Sequence, residues 1–265
     1  MFKAFYWMFQ KPENKKLFIK NSMILFGVTI LSLIILCVMV YLVFIESVFG
    51  CLIIFVLPFL LIPALLTLGY FWEMTAGVIE RKTDIVSSSV YNGKVKLIEN
   101  IKLPEIKFFK FIWRGFSGFV ALVIMEVPVI IVFLNIIIFR KPEWFIVLVV
   151  IQVLILFLYP GLAWNYAKNN SVFSTWNLYT AGRLLENRPG RYLWNLLLTI
   201  LAWVAFIIIT GIVEYFIGTL SESDINNMQK FIIYLLPTLI FYIPYIYLQH
   251  VFAFLIGTLG NSNDY

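Results

Sequence analysis

The chain has 265 residues, of which 62% are hydrophobic and only 13% are charged, and its mean hydropathy is +0.94. Soluble globular proteins carry about 25% charged residues, so a soluble fold is excluded and a lipid bilayer is the expected solvent. The formal net charge is +6. The orientation of a membrane protein depends on where Lys and Arg lie along the chain rather than on this net charge.

Residues 1–22 form a basic, aromatic segment ahead of the first apolar run. Such a segment is typical of a helix in the headgroup region, where aromatic rings occupy the interface and ammonium groups meet anionic lipid. A disordered basic leader is the alternative. The cations that we assign to lipid contact here are Lys15, Lys16 and Lys20. The apolar run that follows has no small-residue cleavage pattern, so we expect it to be retained as a membrane span.

Six apolar runs are each long enough to cross a bilayer as a helix. They predict an all-α fold in which residues 23–265 form one six-helix transmembrane domain. The expected spans cover residues 23–45, 51–70, 117–139, 144–164, 193–218 and 231–257. The second, fourth and sixth spans contain prolines that bend helices, among them Pro63, Pro160 and Pro244.

Two hydrophilic linkers, residues 73–114 and 165–192, carry apolar residues at helical spacing. The first linker ends in an amphipathic ramp that leads into the third span. The second predicts one surface helix of about four turns that stops at Asn187-Arg188-Pro189-Gly190. We assign both amphipathic segments to the membrane interface. Their expected headgroup contacts are Lys107, Lys110, Trp113, Arg114, Trp176, Arg183 and Arg191.

The distribution of cations tests the number of spans. Five Lys or Arg residues precede the first span, eight lie between the second and third, and four between the fourth and fifth. The segments on the other side hold only Arg140, Lys141 and Lys230. By the positive-inside rule, both termini and both linkers are therefore expected to be cytoplasmic, in a multi-pass protein of the cell membrane. The six spans form three helical hairpins, and the second span of each contains a proline. Because all three hairpins enter the membrane from the same side, they predict a parallel internal repeat.

The stretches LGYFWEMTAGVIER and LPEIKFFKFIWRGF resemble a prokaryotic family of polytopic membrane proteins that is known only as a domain of unknown function. The resemblance rests on Gly69, Tyr70, Leu103-Pro104-Glu105 and Gly115, and in the second half on Pro160, Ala167, Arg183 and Tyr192. The chain is also loosely similar to the membrane domains attached to some glycerophosphodiester phosphodiesterases. The resemblance implies a fold and a location in the cytoplasmic membrane of a prokaryote, and it supplies no active site.

Three polar residues lie within the expected spans. Glu126 falls near the bilayer midplane beside Pro128, where a carboxylate marks a transport pathway, a proton site or an internal partner. A protonated Glu that bonds to a nearby helix is the alternative. Asn135 and Gln152 lie at similar depths in consecutive spans, and an interhelical hydrogen bond between them is the simplest interpretation.

No residue pattern indicates catalysis. The chain has no phosphate-binding loop, no zinc-protease or serine-hydrolase motif and no paired intramembrane aspartates. We predict no catalytic residue, no cofactor and no metal, because His250 has no Cys or carboxylate at ligand spacing and Cys37 and Cys51 form no framework. Nucleic acid is not an expected partner, because the aromatic residues that accompany the cations lie where membrane interfaces should be.

Three functions remain open. The favoured hypothesis is a non-enzymatic scaffold or interaction subunit that docks anionic lipid or a protein partner through its cytoplasmic amphipathic helices. The second is a transporter-like or permease-like subunit that uses the midplane carboxylate of Glu126. The third is an intramembrane enzyme that acts on lipid, for which no nucleophile or metal set is found.

Overall fold

The computed structural model describes residue 9 and residues 11–45, 61–80, 102–140, 143–220 and 227–260. These residues are almost entirely helical, and no β-strand occurs among them. The α-helices are α1 (Pro12–Ile45), α2 (Leu61–Glu80), α3 (Phe108–Phe139), α4 (Trp144–Asn169), α5 (Leu178–Asn187), α6 (Pro189–Leu220) and α7 (Asn227–Gly257), and a 3-10 helix, Val172–Trp176, precedes α5.

All of these α-helices except the short α5 are long and apolar enough to cross a membrane, which confirms the predicted six spans by length and composition. Several helices are longer than the apolar runs that define the predicted spans. In particular, α2 continues to Glu80, so Tyr70 lies within the helix and does not close it. The reason is that Met74, Val78 and Ile79 are buried against neighbouring helices, and this packing stabilises further turns. Parts of three predicted segments lie outside the described residues. They are residues 1–8 of the N-terminal interfacial segment, residues 51–60 of the second span and residues 81–101 of the first linker.

The predicted single surface helix in the second linker is in fact two helices. The 3-10 helix ends at Trp176, and α5 begins after Asn177, whose side chain accepts a hydrogen bond from the backbone N–H of Thr180. Asn is a strong N-cap residue because its side chain satisfies a free N–H of the first helical turn. The cap starts a new helix, and α5 ends at Asn187 as expected.

The helices alternate in direction. Asn21 near the start of α1 bonds to Tyr70 of α2, Arg114 near the start of α3 bonds to Ala167 of α4, and Asn195 near the start of α6 bonds to Leu255 of α7. The starts of α1, α3 and α6 therefore meet the ends of α2, α4 and α7. We call this end of the bundle the linker end, and it also carries α5. We call the opposite part of α3, α4 and α6 the far half.

The core lies at the linker end. Its largest fully buried side chains are aromatic: Trp72, Tyr70, Tyr166, Tyr192 and Phe111. In the far half, by contrast, apolar side chains such as Ile138 and Ile146 are mostly exposed. Apolar side chains at the surface of a spanning helix are in their preferred solvent when that solvent is lipid.

The crossing of α2 and α3 is fixed by two glycines, Gly69 and Gly115. A Cβ atom on Gly69 would lie 1.8 Å from the carbonyl oxygen of Phe111, and one on Gly115 would lie 1.8 Å from the carbonyl oxygen of Leu65. The two backbones are thus in direct contact, which no other residue type permits. This close approach brings the side chains that follow each glycine into one cluster.

Candidate functional site

An ion cluster joins α2 to the first turns of α3. The Arg114 guanidinium donates from Nη1 to Oε2 of Glu73 over 2.7 Å, and the Lys110 ammonium donates to Oε1 of the same carboxylate. Glu73 and Arg114 are mostly buried, whereas Lys110 is half exposed. Two cations on one carboxylate leave a net positive charge at this point of the surface.

Arg114 also holds the end of α4. Its Nη2 group lies within 3.3 Å of the carbonyl oxygen of Ala167 and 3.5 Å from that of Trp72. A cation at a helix C-terminus interacts favourably with the carbonyls that have no partner within the helix. The sequence predicts that Arg114 contacts a lipid headgroup. In the structure its guanidinium is instead bound to α2 and α4 within the protein.

A buried polar network lies on the other side of α2. The side-chain amide of Asn21 donates to the hydroxyl of Tyr70 over 3.0 Å and to the carbonyl oxygen of Pro104 over 2.8 Å. The Tyr70 hydroxyl lies 3.0 Å from Nε2 of His250. All three of these side chains are fully buried. The network thereby ties α1, α2, α7 and the segment before α3 together.

The direction of each hydrogen bond in this network can be assigned. Nδ1 of His250 faces the carbonyl oxygen of Ile246, which can only accept, so in a neutral ring Nε2 is the acceptor, and the Tyr70 hydroxyl, which accepts from Asn21, donates to it. The His250 ring is then neutral with its proton on Nδ1, which donates to the carbonyl oxygen of Ile246 over 2.7 Å. Asn14 adds a related tie by accepting from the backbone N–H of Leu103 over 3.1 Å. The sequence alone does not predict this network, although Asn21 and His250 stand out as polar residues beside apolar runs.

The hydroxyl of Tyr192 is inserted into α4 at its proline. Pro160 has no N–H to donate and bends its helix. The backbone N–H of Gly161 donates to the Tyr192 hydroxyl over 3.2 Å, and this hydroxyl donates to the carbonyl oxygens of Phe157 and Leu158 over 3.0 and 3.1 Å. A side chain of α6 thus forms hydrogen bonds with the backbone of α4 around Pro160.

Basic and aromatic side chains surround the linker end. At the start of α3, Phe109 is 84% exposed and Trp113 is 72% exposed, and in the 3-10 helix Phe173 is 90% exposed. On α5 the Arg183 guanidinium lies over the ring of Tyr179, with 5.4 Å from its Cζ atom to the ring centroid. The other predicted headgroup residues that are exposed here are Lys15, Lys16, Lys20, Lys107, Trp176 and Arg191. We call this set the basic-aromatic rim.

The three predicted intramembrane polar residues do not converge on one site. Glu126 is half-buried at the flank of the packed face of α3, and within the described residues its carboxylate makes no hydrogen bond or ion pair. The Asn135 side chain donates to the carbonyl oxygen of Ile131 in its own helix over 2.8 Å. Gln152 is exposed, so the hydrogen bond expected between Asn135 and Gln152 is not formed in the described structure.

No group of three or more His, Cys, Asp or Glu side chains is placed to bind a metal ion in the part of the chain that the structure describes. The polar side chains of the linker end bond mainly to one another and to backbone carbonyls, which is an arrangement that fixes helices. No protein-family model, no curated protein and no solved structure matches the chain, and the resemblance found in the sequence stays a prediction.

Proposed function

We propose that this protein is a scaffold or interaction subunit of a prokaryotic cytoplasmic membrane, and that its basic-aromatic rim binds anionic lipid headgroups. The observation that carries the proposal is the exposure of Lys107 at the N-cap of α3 and of Phe109 and Trp113 on its first two turns. Aromatic rings and cations alternate in this way where a helix crosses the level of the headgroups.

The second linker supports the same proposal. Phe173, Trp176 and Tyr179 are exposed, whereas Ala181 and Leu184 of α5 are buried against the bundle. The inner face of the second linker thus packs on the protein. Its aromatic outer face is most stable in surroundings that are partly apolar and partly polar. The headgroup layer offers such surroundings, because it is apolar on one side and wet on the other.

The side of the membrane follows from the distribution of charge. Of the 14 Lys and Arg residues that the structure describes, 12 lie at the linker end, and the other two are Arg140 and Lys230. The positive-inside rule then places this end in the cytoplasm, where anionic lipid adds about 1 kcal/mol of attraction for each nearby cation.

The function as a transporter-like subunit has less support. It requires polar groups that converge on a path through the bilayer, whereas Asn135 bonds within its own helix and Gln152 is exposed. The parallel internal repeat, which would favour transport, stays a prediction.

Native mass spectrometry of the protein in a neutral detergent tests the lipid proposal. We expect phosphatidylglycerol to bind more tightly than phosphatidylcholine and to be released by salt, because exposed charges are screened. Combined replacement of the exposed Lys15, Lys16 and Lys107 by Gln should weaken phosphatidylglycerol binding by about tenfold or more. The matched control is Arg140→Gln, which removes an exposed cation at the opposite end of α3.

Equal binding of the two lipids, or an equal loss in the Arg140→Gln control, would reject the rim as the binding surface. A stoichiometric protein that co-purifies with the wild type and is lost from the triple variant would instead assign the rim to a protein partner. The melting temperature of each variant must stay at the wild-type value, because the three lysines are exposed and their replacement should not disturb packing.

A further inference from the structure

A second group of polar side chains lies deeper in the bundle and is not used by the rim. It consists of the hydroxyl groups of Thr67 on α2, Tyr159 on α4 and Tyr242 and Tyr245 on α7. Thr67, Tyr242 and Tyr245 lie about one or two helical turns further from the linker end than Tyr70 and His250 of the buried network, and Tyr159 lies beside Pro160, next to the Tyr192 contact in α4. We call these four residues the hydroxyl cluster.

The contacts between these residues come from three different helices. The hydroxyls of Thr67 and Tyr242 are 3.0 Å apart, and Thr67 donates its own proton to the carbonyl oxygen of Pro63, so Tyr242 donates to Thr67. The rings of Tyr242 and Tyr245 have centroids 6.3 Å apart. The helices α4 and α7 are in contact, and Tyr159 of α4 and Tyr245 of α7 pack against the same buried core.

The cluster has hydrogen-bonding capacity that the described protein does not use. Within the described residues, Tyr159 has no hydrogen-bond partner for its hydroxyl, and its side chain is only partly buried. The Tyr242 hydroxyl still has lone pairs after donating to Thr67. A hydroxyl that is away from water without a partner is unfavourable, so it favours any ligand that supplies one.

The surroundings of the cluster are apolar on the side of the far half. Trp203 of α6 lies against Tyr245, with 6.0 Å between the ring centroids. One turn or less beyond the phenols, Leu156 of α4 and Ile240 and Ile243 of α7 expose their side chains. An apolar chain that lies along these residues would have its polar end at the hydroxyl cluster.

The charge of the polar end follows from the same contacts. No Lys, Arg, Asp or Glu among the described residues bonds to any of the four hydroxyls. A phosphate would therefore lose its hydration without gaining a cation, whereas an ester or alcohol oxygen needs only a hydrogen bond. We propose that the hydroxyl cluster binds the uncharged polar end of a lipid, such as a diacylglycerol, whose chains lie against the exposed apolar side chains of α4 and α7.

Photolabelling in nanodiscs of phosphatidylcholine tests this site with the full-length protein. The probe is a photoactivatable diacylglycerol, and labelled peptides are mapped by mass spectrometry. We expect labels on α4 and α7 near Leu156 and Ile243, and we expect Tyr159→Phe to lower their yield by about fivefold, because it removes one hydrogen bond in an apolar site. The control is Tyr179→Phe, which removes an exposed phenol on α5 and should leave the yield unchanged.

Unchanged labelling in Tyr159→Phe, or labels spread evenly over the lipid-exposed surface of α6, would overturn the assignment. So would equal labelling of the same residues by a photoactivatable phosphatidylglycerol, because the site would then accept charge. Labels from phosphatidylglycerol at the rim concern the proposed function alone, so the two proposals can fail separately. Tyr159→Phe keeps the aromatic ring, and an unchanged melting temperature confirms that the variant is folded.

Discussion

The two ends of α3 lie in contrasting environments although both consist mainly of apolar residues. Near its start, Phe111, Gly115 and Gly118 are buried against α2 and α4, and near its end Ile137 and Ile138 are exposed. The difference lies in the residues that accompany the apolar ones. Because lipid is as apolar as Leu or Ile, apolar side chains alone do not hold spanning helices together, whereas close backbone contact and buried hydrogen bonds do.

The linker end and the far half repeat this contrast across the whole bundle. The ion cluster, the buried network and the Tyr192 hydroxyl all lie at the linker end. In the far half, the described part of α6 contributes no buried residue to the most apolar stretch of its span. Substitutions should therefore have large effects at one end and small effects at the other, and the contrast can be tested with matched pairs.

The largest effect is expected for Gly115→Ala. The new Cβ atom would lie 1.8 Å from the carbonyl oxygen of Leu65, so α2 and α3 would have to separate. We expect the free energy of unfolding to fall by about 3 kcal/mol or more, as for overpacking without a flexible neighbour. Size-exclusion chromatography after heating in detergent would show this as a lower melting temperature and a lower folded yield.

The matched control is Gly211→Ala in the far half of α6, where no heavy atom lies within 4 Å of the added Cβ. Ala has a higher helix propensity than Gly, so this variant should equal or exceed the wild type in stability. Equal destabilisation by the two substitutions would contradict the difference between the two regions.

An intermediate effect is expected at the ion cluster. Glu73→Gln would leave the mostly buried Arg114 without its carboxylate and should destabilise the protein by about 2–3 kcal/mol. Lys110→Gln removes a half-exposed partner of the same carboxylate and should cost less than about 1 kcal/mol. Melting curves of both variants in one detergent give the comparison, and the interpretation fails if Lys110→Gln is the more harmful.

The smallest effect is expected for Ile208→Ala on the far half of α6. The Ile208 side chain is exposed, so its removal leaves no cavity in the protein, and lipid or detergent fills the space. We expect a change in unfolding free energy of less than about 0.5 kcal/mol in the same melting assay. A loss comparable to that of Glu73→Gln would show that α6 packs against another helix there.

The number of spans could be predicted from the sequence because hydropathy and length depend on each residue separately. The break at Asn177 could also have been found, since Asn is a typical N-cap residue. The partner of Arg114 could not, because Glu73 lies 41 residues earlier and the helical stripe around Arg114 fits a headgroup equally well. The same holds for His250, whose partner Tyr70 is 180 residues away.

The glycines show which contacts a local sequence pattern can and cannot predict. Gly69, Tyr70 and Gly115 carry the resemblance to the family of polytopic membrane proteins, and the structure shows that Gly69 and Gly115 meet at the α2–α3 crossing. Their spacing predicts neither this contact nor its partner residues. Contacts between helices in lipid depend on which small residues face each other, and a single sequence does not contain that pairing.

The insertion of Tyr192 into α4 also bears on how the protein is made. Ribosomes synthesise α4 before α6, so the nascent chain carries Pro160 and Gly161 into the membrane before the phenol that bonds there exists. Until residue 192 arrives, the N–H of Gly161 lacks this partner in a solvent that offers few others. The contact that holds α4 at Gly161 can therefore form only after residue 192 has been synthesised, so these two helices come together in chain order.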